Sequence, residues 1–78
     1  MMDFHEISKR LKEILSVIEK KEKILDKDIA NALHLDPQYY AVIKRRKKIP
    51  YEAIALFCKQ KRLSLNWVLL AQKPKYLT

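Results

Sequence analysis

The stretch DKDIANALHLDPQYYAVIKRR, residues 26–46, decides the fold that we expect for this chain. Its first part places Ile29, Ala30 and Leu33 at the i, i+1 and i+4 spacing of one apolar helical face. Asp26 precedes that face and is of a residue type that caps helix starts, because its carboxylate accepts hydrogen bonds from the first free amides. The first part therefore predicts a short amphipathic helix with an Asp26 cap.

A second helix is predicted immediately afterwards. Residues 34–36 interrupt the apolar pattern, and Asp36 followed by Pro37 starts a new helix, since proline's fixed φ suits the first helical position. The small Ala30 lets two helices approach closely. The combination predicts a helix-turn-helix, the geometry that places a second helix, here residues 37–46, in the major groove of DNA.

Two further sequence boxes follow the turn in a defined order. The chain reads LHLDPQYYAVIKRRKKIPYEA over residues 33–53 and LSLNWVLLA over residues 63–71. These boxes resemble the helix-turn-helix DNA-binding domain of the bacteriophage CI repressor family, over roughly residues 26–70. The resemblance implies a compact five-helix, lambda-repressor-like fold, double-stranded operator DNA as ligand, and transcriptional repression in a bacterial or phage-related cytoplasmic setting. His34 stands where the family usually has glycine, so we expect a left-handed backbone there.

Composition independently favours a small all-α domain with a polyanionic partner. Seventy-eight residues suffice for one core, and 17 basic against 9 acidic side chains leave a net charge of +8. The absence of glycine removes phosphate-cradling loops and dinucleotide fingerprints, whose backbone must approach the ligand closely. The single cysteine, Cys58, forms no internal disulfide, which fits a reducing cytoplasm. No apolar run approaches the roughly 20 residues that span a bilayer, so we expect no membrane partner.

The first helix is predicted to be longer than in the family that the chain resembles, from Asp3 to about Lys21. Asp3 provides an N-cap, and Met2 and Ile7 are spaced as a hydrophobic staple. Apolar residues at helical spacing predict the buried face of this helix, formed by Phe4, Ile7, Leu11, Ile14, Leu15 and Ile18.

Two more helices complete the predicted bundle. The fourth begins at Pro50 and ends near Lys61, and its predicted buried side carries Ala53, Ile54, Phe57 and Cys58. Ser64 caps the fifth helix. Trp67 in that helix is expected to anchor it in the core, and a dimer contact is the alternative.

The second helix of the motif has an inward and an outward face. At 100° per residue, Tyr40, Ile43 and the stem of Lys47 face the preceding helix. The outward face carries types that recognise base edges, since glutamine pairs with adenine, arginine prefers guanine, and small aliphatic groups meet the thymine methyl. We predict base contacts from Gln38, Tyr39, Ala41, Val42 and Arg45.

Several of these assignments have plainer alternatives. Val42 is otherwise a core residue, because short helices are ambiguous in their pattern. Tyr39 is otherwise a cover for the turn or a phosphate contact through its hydroxyl, and Gln38 an ordinary polar surface residue. Arg45 can reach a base or a phosphate.

Five consecutive cations, residues 44–48 (KRRKK), follow the outward face. The simplest interpretation is a solvated helix end, where cations also interact favourably with the helix dipole. Because their mutual repulsion is costly without a polyanion, we instead predict phosphate contacts from this run and from one lysine of the preceding helix. These residues are Lys27, Lys44, Arg46, Lys47 and Lys48. The alternative for Arg46 is an ion pair with Glu52.

No catalytic centre, metal site or cofactor is predicted. His5, His34 and Cys58 are scattered without metal-ligand spacing, and the serines lack a nucleophile-elbow signature. The sequence thus favours a non-enzymatic binding domain.

The predicted function is sequence-specific binding of double-stranded DNA by a regulator, expected to be a repressor that binds as a dimer to a pseudo-palindromic site. We assign residues 1–72 to the helix-turn-helix domain and 73–78 to a C-terminal tail. Candidate dimer surfaces are the long first helix and the fifth helix with the tail, where Tyr76 and Leu77 lack an obvious place in the core.

The alternative function is a protein-interaction module on the same fold, antirepressor-like or antitoxin-like. An anionic membrane surface is disfavoured because the core needs the apolar faces.

Overall fold

A computed structural model describes residues 3–76, which contain five α-helices. In chain order they are α1 (Phe4–Ile18), α2 (Asp26–Ala32), α3 (Pro37–Arg45), α4 (Tyr51–Lys61) and α5 (Leu65–Leu70). The prediction of an all-α, five-helix bundle is confirmed. None of these helices is both long and apolar enough to cross a membrane.

Helix α1 begins as predicted and ends early. The Asp3 carboxylate accepts a hydrogen bond from the His5 N–H at 3.0 Å, which confirms the N-cap. Its predicted staple partner, Met2, lies outside the described residues. The helix ends at Ile18 rather than near Lys21, and Ile18 is 44% exposed, so its predicted burial was wrong. The physical reason is that residues 19–23, EKKEK, offer no apolar side chain to hold another turn on the core.

Helix α2 begins one residue earlier than the predicted Asp26 cap implied. Leu25 is the N-cap and Asp26 the first helical residue, so Asp26 does not cap. The Leu25 N–H donates instead to the Asp28 carboxylate at 2.8 Å. This bond, together with Lys21, holds the pKa of Asp28 below its usual value.

The turn between α2 and α3 has the predicted local structure. His34 adopts a left-handed backbone with φ of 58°, and the Leu35 N–H donates to the Ala30 carbonyl at 2.8 Å. Asp36 caps α3 by accepting from the Gln38 N–H at 2.7 Å, with Pro37 at the first helical position. A non-glycine residue in this backbone region costs about 1–2 kcal/mol, which the surrounding packing offsets.

All five helices contribute buried side chains to one core. Ala30, Tyr40, Ile43 and Cys58 are buried in it, as the pattern predicts. Ala53, predicted on the buried side of the fourth helix, is half-buried and packs against the core. The remaining buried apolar members are Phe4, Ile7, Leu11, Ile14, Leu15, Ile24, Ile29, Leu33, Ile54, Phe57, Leu63, Val68 and Leu69.

The end of the described chain is fastened to α1. The Ser64 N–H donates to the Lys75 carbonyl at 2.9 Å, and Lys75 forms an ion pair with Glu13 of α1. The same ammonium lies 4.7 Å from the ring centroid of Trp67, a cation–π distance. Trp67 is half-buried and packs against the core, consistent with an anchoring role for this side chain.

Candidate nucleic-acid interface

The outward face of α3 is open to solvent over most of its length. Gln38, Ala41 and Arg45 are exposed, and Tyr39 is 56% exposed. Val42 is half-buried, which places it at the border between the core and the surface. Four of the five residues predicted to contact bases are therefore accessible to a ligand, and the fifth presents part of its side chain.

Inward anchoring of α3 is what leaves this face exposed. Tyr40 and Ile43 are buried, and the Tyr40 ring lies 5.9 Å from the ring of Phe4, centroid to centroid. Burial raises the pKa of the Tyr40 hydroxyl. Because two large side chains fix the inner side, the rotation of α3 about its axis is set by the core.

The cationic run lies at the C-terminal end of the same helix. Lys27, Arg46, Lys47 and Lys48 are all exposed, as a phosphate-contacting role requires. Lys44 differs, because its Nζ lies 2.6 Å from a carboxylate oxygen of Asp26. Pairs as exposed as this one contribute about 0–1 kcal/mol, so a phosphate can compete for the ammonium.

The chain turns sharply after α3. The helix ends at Arg45, and Lys47 adopts a left-handed backbone with φ of 56°. The Lys48 N–H then donates to the Ile43 carbonyl at 2.9 Å, closing the helix end. Lys47 consequently lies beyond the helix and is exposed, so the predicted packing of its stem on the preceding helix was wrong. Within the described residues Arg46 and Glu52 form no ion pair, so that alternative is not realised.

A basic pocket that the sequence does not predict lies between α1 and the end of α3. It has a volume of about 420 Å³, and four of its lining residues are lysines. Two of these, Lys44 and Lys47, belong to the predicted phosphate-contacting set, whereas Lys9 and Lys12 are on the polar side of α1. Lysines on the polar side of an amphipathic helix, such as Lys9 and Lys12, are typical of a solvated face. No sequence signal indicates that α3 ends beside them.

An apolar groove lies on the other side of α3, against the start of α4. Its volume is about 590 Å³, and the exposed side chains Tyr39, Tyr51 and Leu56 line it together with Leu35 and Pro50. The groove adjoins the N-terminal half of the outward face of α3, so a partner seated on that face would also meet it.

Metal-binding and thiol chemistry find no support in the described part of the chain. Residues 3–76 contain no group of three His, Cys, Asp or Glu side chains placed to hold a metal ion. Cys58 is 2% exposed, and burial raises the pKa of its thiol to about 11. A thiol so protonated and enclosed is a poor nucleophile at neutral pH.

Comparisons of the chain with protein-family models, curated proteins and solved structures give no match. What the chain does must therefore be inferred from its own residues and their geometry.

Proposed function

We propose that this chain binds double-stranded DNA in a sequence-dependent manner and regulates transcription, most simply as a repressor that occludes its site. The observation that carries the proposal is the exposure of Gln38, Tyr39, Ala41 and Arg45 on one helix that a buried Tyr40 holds against the core. An α-helix fits the major groove, where each base pair presents a distinct set of donors and acceptors.

In this mode α3 enters the major groove, and the cations at the C-terminal end of α3 contact the phosphates of the DNA backbone. Gln38, Ala41 and Val42 meet base edges, and Tyr39 and Arg45 reach bases at the flanks of the helix. Lys27 at the start of α2 and the exposed cations after α3, Arg46, Lys47 and Lys48, contact phosphates. Such contacts position the protein, while the base contacts select the sequence.

The test is binding to duplex DNA measured over a range of salt concentrations. About six phosphate contacts give a slope near −5 for the logarithm of the association constant against the logarithm of salt. Selection of bound fragments from random duplex DNA should then yield one enriched sequence. A slope near zero, or selection without enrichment, would contradict the proposal.

Dimeric binding is part of the proposal, because two half-sites multiply a modest monomer affinity. Exposed apolar side chains occur on both candidate surfaces, Val17 and Ile18 on α1 and Leu70 and Tyr76 at α5 and the tail. Leu77, also named for the second surface, lies outside the described residues. Sedimentation of the protein on DNA with one and with two half-sites distinguishes a dimer from independent monomers.

A second candidate function is a protein-interaction module, as in an antirepressor or antitoxin. The groove between α3 and α4 favours it, since exposed Tyr39, Tyr51 and Leu56 form an apolar surface that DNA does not require. An acidic protein would use the neighbouring cations equally well. Binding to duplex DNA that survives Leu56→Asp, with loss of a protein partner, would assign the two surfaces to different ligands.

A further inference from the structure

We propose that the basic pocket between α1 and the end of α3 binds a phosphate ester. The pocket is distinct from the outward face of α3 and is lined by Lys9, Lys12, Lys44 and Lys47, with Ser8 as a buried hydroxyl. Its ligand is either a backbone phosphate of DNA or a free phosphate-bearing molecule, and the chemistry of recognition is the same for both.

The charge balance of the pocket favours an anion. Its side chains include four ammonium groups and one carboxylate, that of Asp3. The Asp3 carboxylate is occupied in capping α1, where it accepts from the His5 N–H at 3.0 Å. Lys44 is paired with Asp26. The Lys9 Nζ lies 4.0 Å from the Glu6 Oε2 in a loose, exposed ion pair. Lys12 and Lys47 form no ion pair within the described residues, so the pocket keeps a positive excess.

The donor set is suited to phosphate more than to a single carboxylate. Several lysines placed around one volume act as point charges on a group that carries multiple anionic oxygens. Ser8 is 6% exposed and adds a neutral hydroxyl donor to the lining. A volume of about 420 Å³ falls in the range of small-molecule sites, which leaves room for the group esterified to the phosphate.

Backbone geometry brings the two halves of the pocket together. The buried contact between Phe4 and Tyr40 fixes α1 against α3. The left-handed turn at Lys47 ends α3 and places this lysine in the pocket lining beside residues of α1. The site therefore depends on tertiary packing that neither helix possesses alone.

The first arm of the test uses the full chain and inorganic phosphate. Backbone amide resonances are followed during titration with phosphate and, at matched ionic strength and pH, with chloride. Phosphate should produce saturable shifts concentrated at Phe4, His5, Ser8 and Lys47.

Lys12→Gln should weaken the apparent affinity for phosphate at least fivefold, and Lys9→Gln should weaken it too. The matched control Lys23→Gln, an exposed lysine between α1 and α2 outside the pocket, should leave it unchanged. Circular dichroism establishes that each variant is folded.

The second arm identifies the source of the phosphate. If the pocket holds a DNA phosphate, Lys12→Gln reduces the slope of the salt dependence on duplex DNA by about 1, and Lys23→Gln does not. An unchanged slope alongside saturable phosphate binding assigns the pocket to a free phosphate ester.

Two outcomes overturn the inference. One is a phosphate response no different from that of chloride, and the other is equal weakening by the Lys12 and Lys23 substitutions. The inference does not depend on the proposed DNA function. Saturable phosphate binding without any binding to duplex DNA would support the pocket and contradict the function.

Discussion

The ammonium of Lys44 lies 2.6 Å from the carboxylate of Asp26, joining the last turn of α3 to the first turn of α2. One cation of the proposed DNA surface is thus paired within the protein before any ligand arrives. The pair is exposed at both ends, so it is weak in water and screened by salt. Its main consequence for DNA binding is electrostatic, because Asp26 brings negative charge to a surface that must meet phosphates.

Asp26→Asn is expected to increase affinity for duplex DNA by about threefold to tenfold at low salt, on the order of 1 kcal/mol. The substitution frees Lys44 and removes a charge that repels phosphates. A small loss of stability, roughly 0.3–1 kcal/mol, should accompany it, since the carboxylate lies in the first turn of α2 and interacts with the helix dipole. Fluorescence anisotropy with labelled duplex measures the affinity.

The matched control for this change is Glu19→Gln. Glu19 is an exposed carboxylate at the end of α1, away from α3, and its substitution raises the net charge by the same amount. Equal gains from the two variants would attribute the effect to net charge and would contradict a specific role for the pair.

Base contacts and phosphate contacts should be separable by substitution. Gln38→Ala is expected to lower the free-energy preference for one base, at one position of the bound site, by about 1–3 kcal/mol. Lys48→Ala should weaken binding to all sequences alike and lower the salt slope by about 1. Competition between the selected duplex and single-base variants of it measures both effects. Uniform weakening by Gln38→Ala together with altered preference in Lys48→Ala would reverse the roles of the two residues.

Features that depend on local sequence were predictable. Asp36 and Pro37 specify the start of α3, and the positions of Tyr40 and Ile43 specify its inner face, because a helix of known start has a fixed period. The ends of helices were less predictable. Lys47 leaves the helix through a left-handed turn that glycine usually signals, and this chain contains no glycine.

Features that depend on tertiary approach were not predictable. Asp26 and Lys44 are separated by 18 residues, and Arg10 and Val68 by 58, so no local pattern pairs them. The basic pocket was missed for the same reason, since Lys9 and Lys12 acquire a shared role only where α3 ends beside α1. The exposed face of α3 could be predicted, whereas the separate basic pocket beside α1 could be found only in the packed structure.

Arg10 fastens the last helix of the bundle to the first. Its Nε donates to the Val68 carbonyl at 2.6 Å and its Nη2 to the Leu69 carbonyl at 3.1 Å, satisfying carbonyls at the C-terminal end of α5. Arg10→Met keeps most of the apolar stem and removes both donors. We expect a loss of about 1.5–3 kcal/mol in the free energy of unfolding, the range for hydrogen bonds to charged groups.

Urea unfolding followed by circular dichroism measures this loss. Lys9→Met provides the control, because Lys9 is the exposed neighbour and makes only a loose pair with Glu6. Arg10→Lys should recover only part of the stability, since a single ammonium cannot reproduce the planar fork of the guanidinium. Similar unfolding midpoints for Arg10→Met and Lys9→Met would show that the two hydrogen bonds contribute little.

Cys58 should make stability fall with rising pH in the alkaline range. Burial raises the pKa of the thiol from 9.0 to about 11, so the folded state holds this proton more tightly than the unfolded state. The resulting contribution is fully present below pH 9 and is lost as pH rises from 9 to about 11. Cys58→Ala removes this titration while leaving the tyrosines and lysines that ionise in the same range.

The measurement is the difference in unfolding free energy between wild type and Cys58→Ala at pH 8 and at pH 10.5. At pH 8 wild type should be the more stable protein, because the alanine leaves unfilled space in the core. At pH 10.5 the difference should shrink, since the unfolded wild-type chain then gains a solvated thiolate that the variant lacks. A difference that stays constant between the two pH values would mean that the Cys58 thiol titrates alike in both states, and hence that its surroundings admit water.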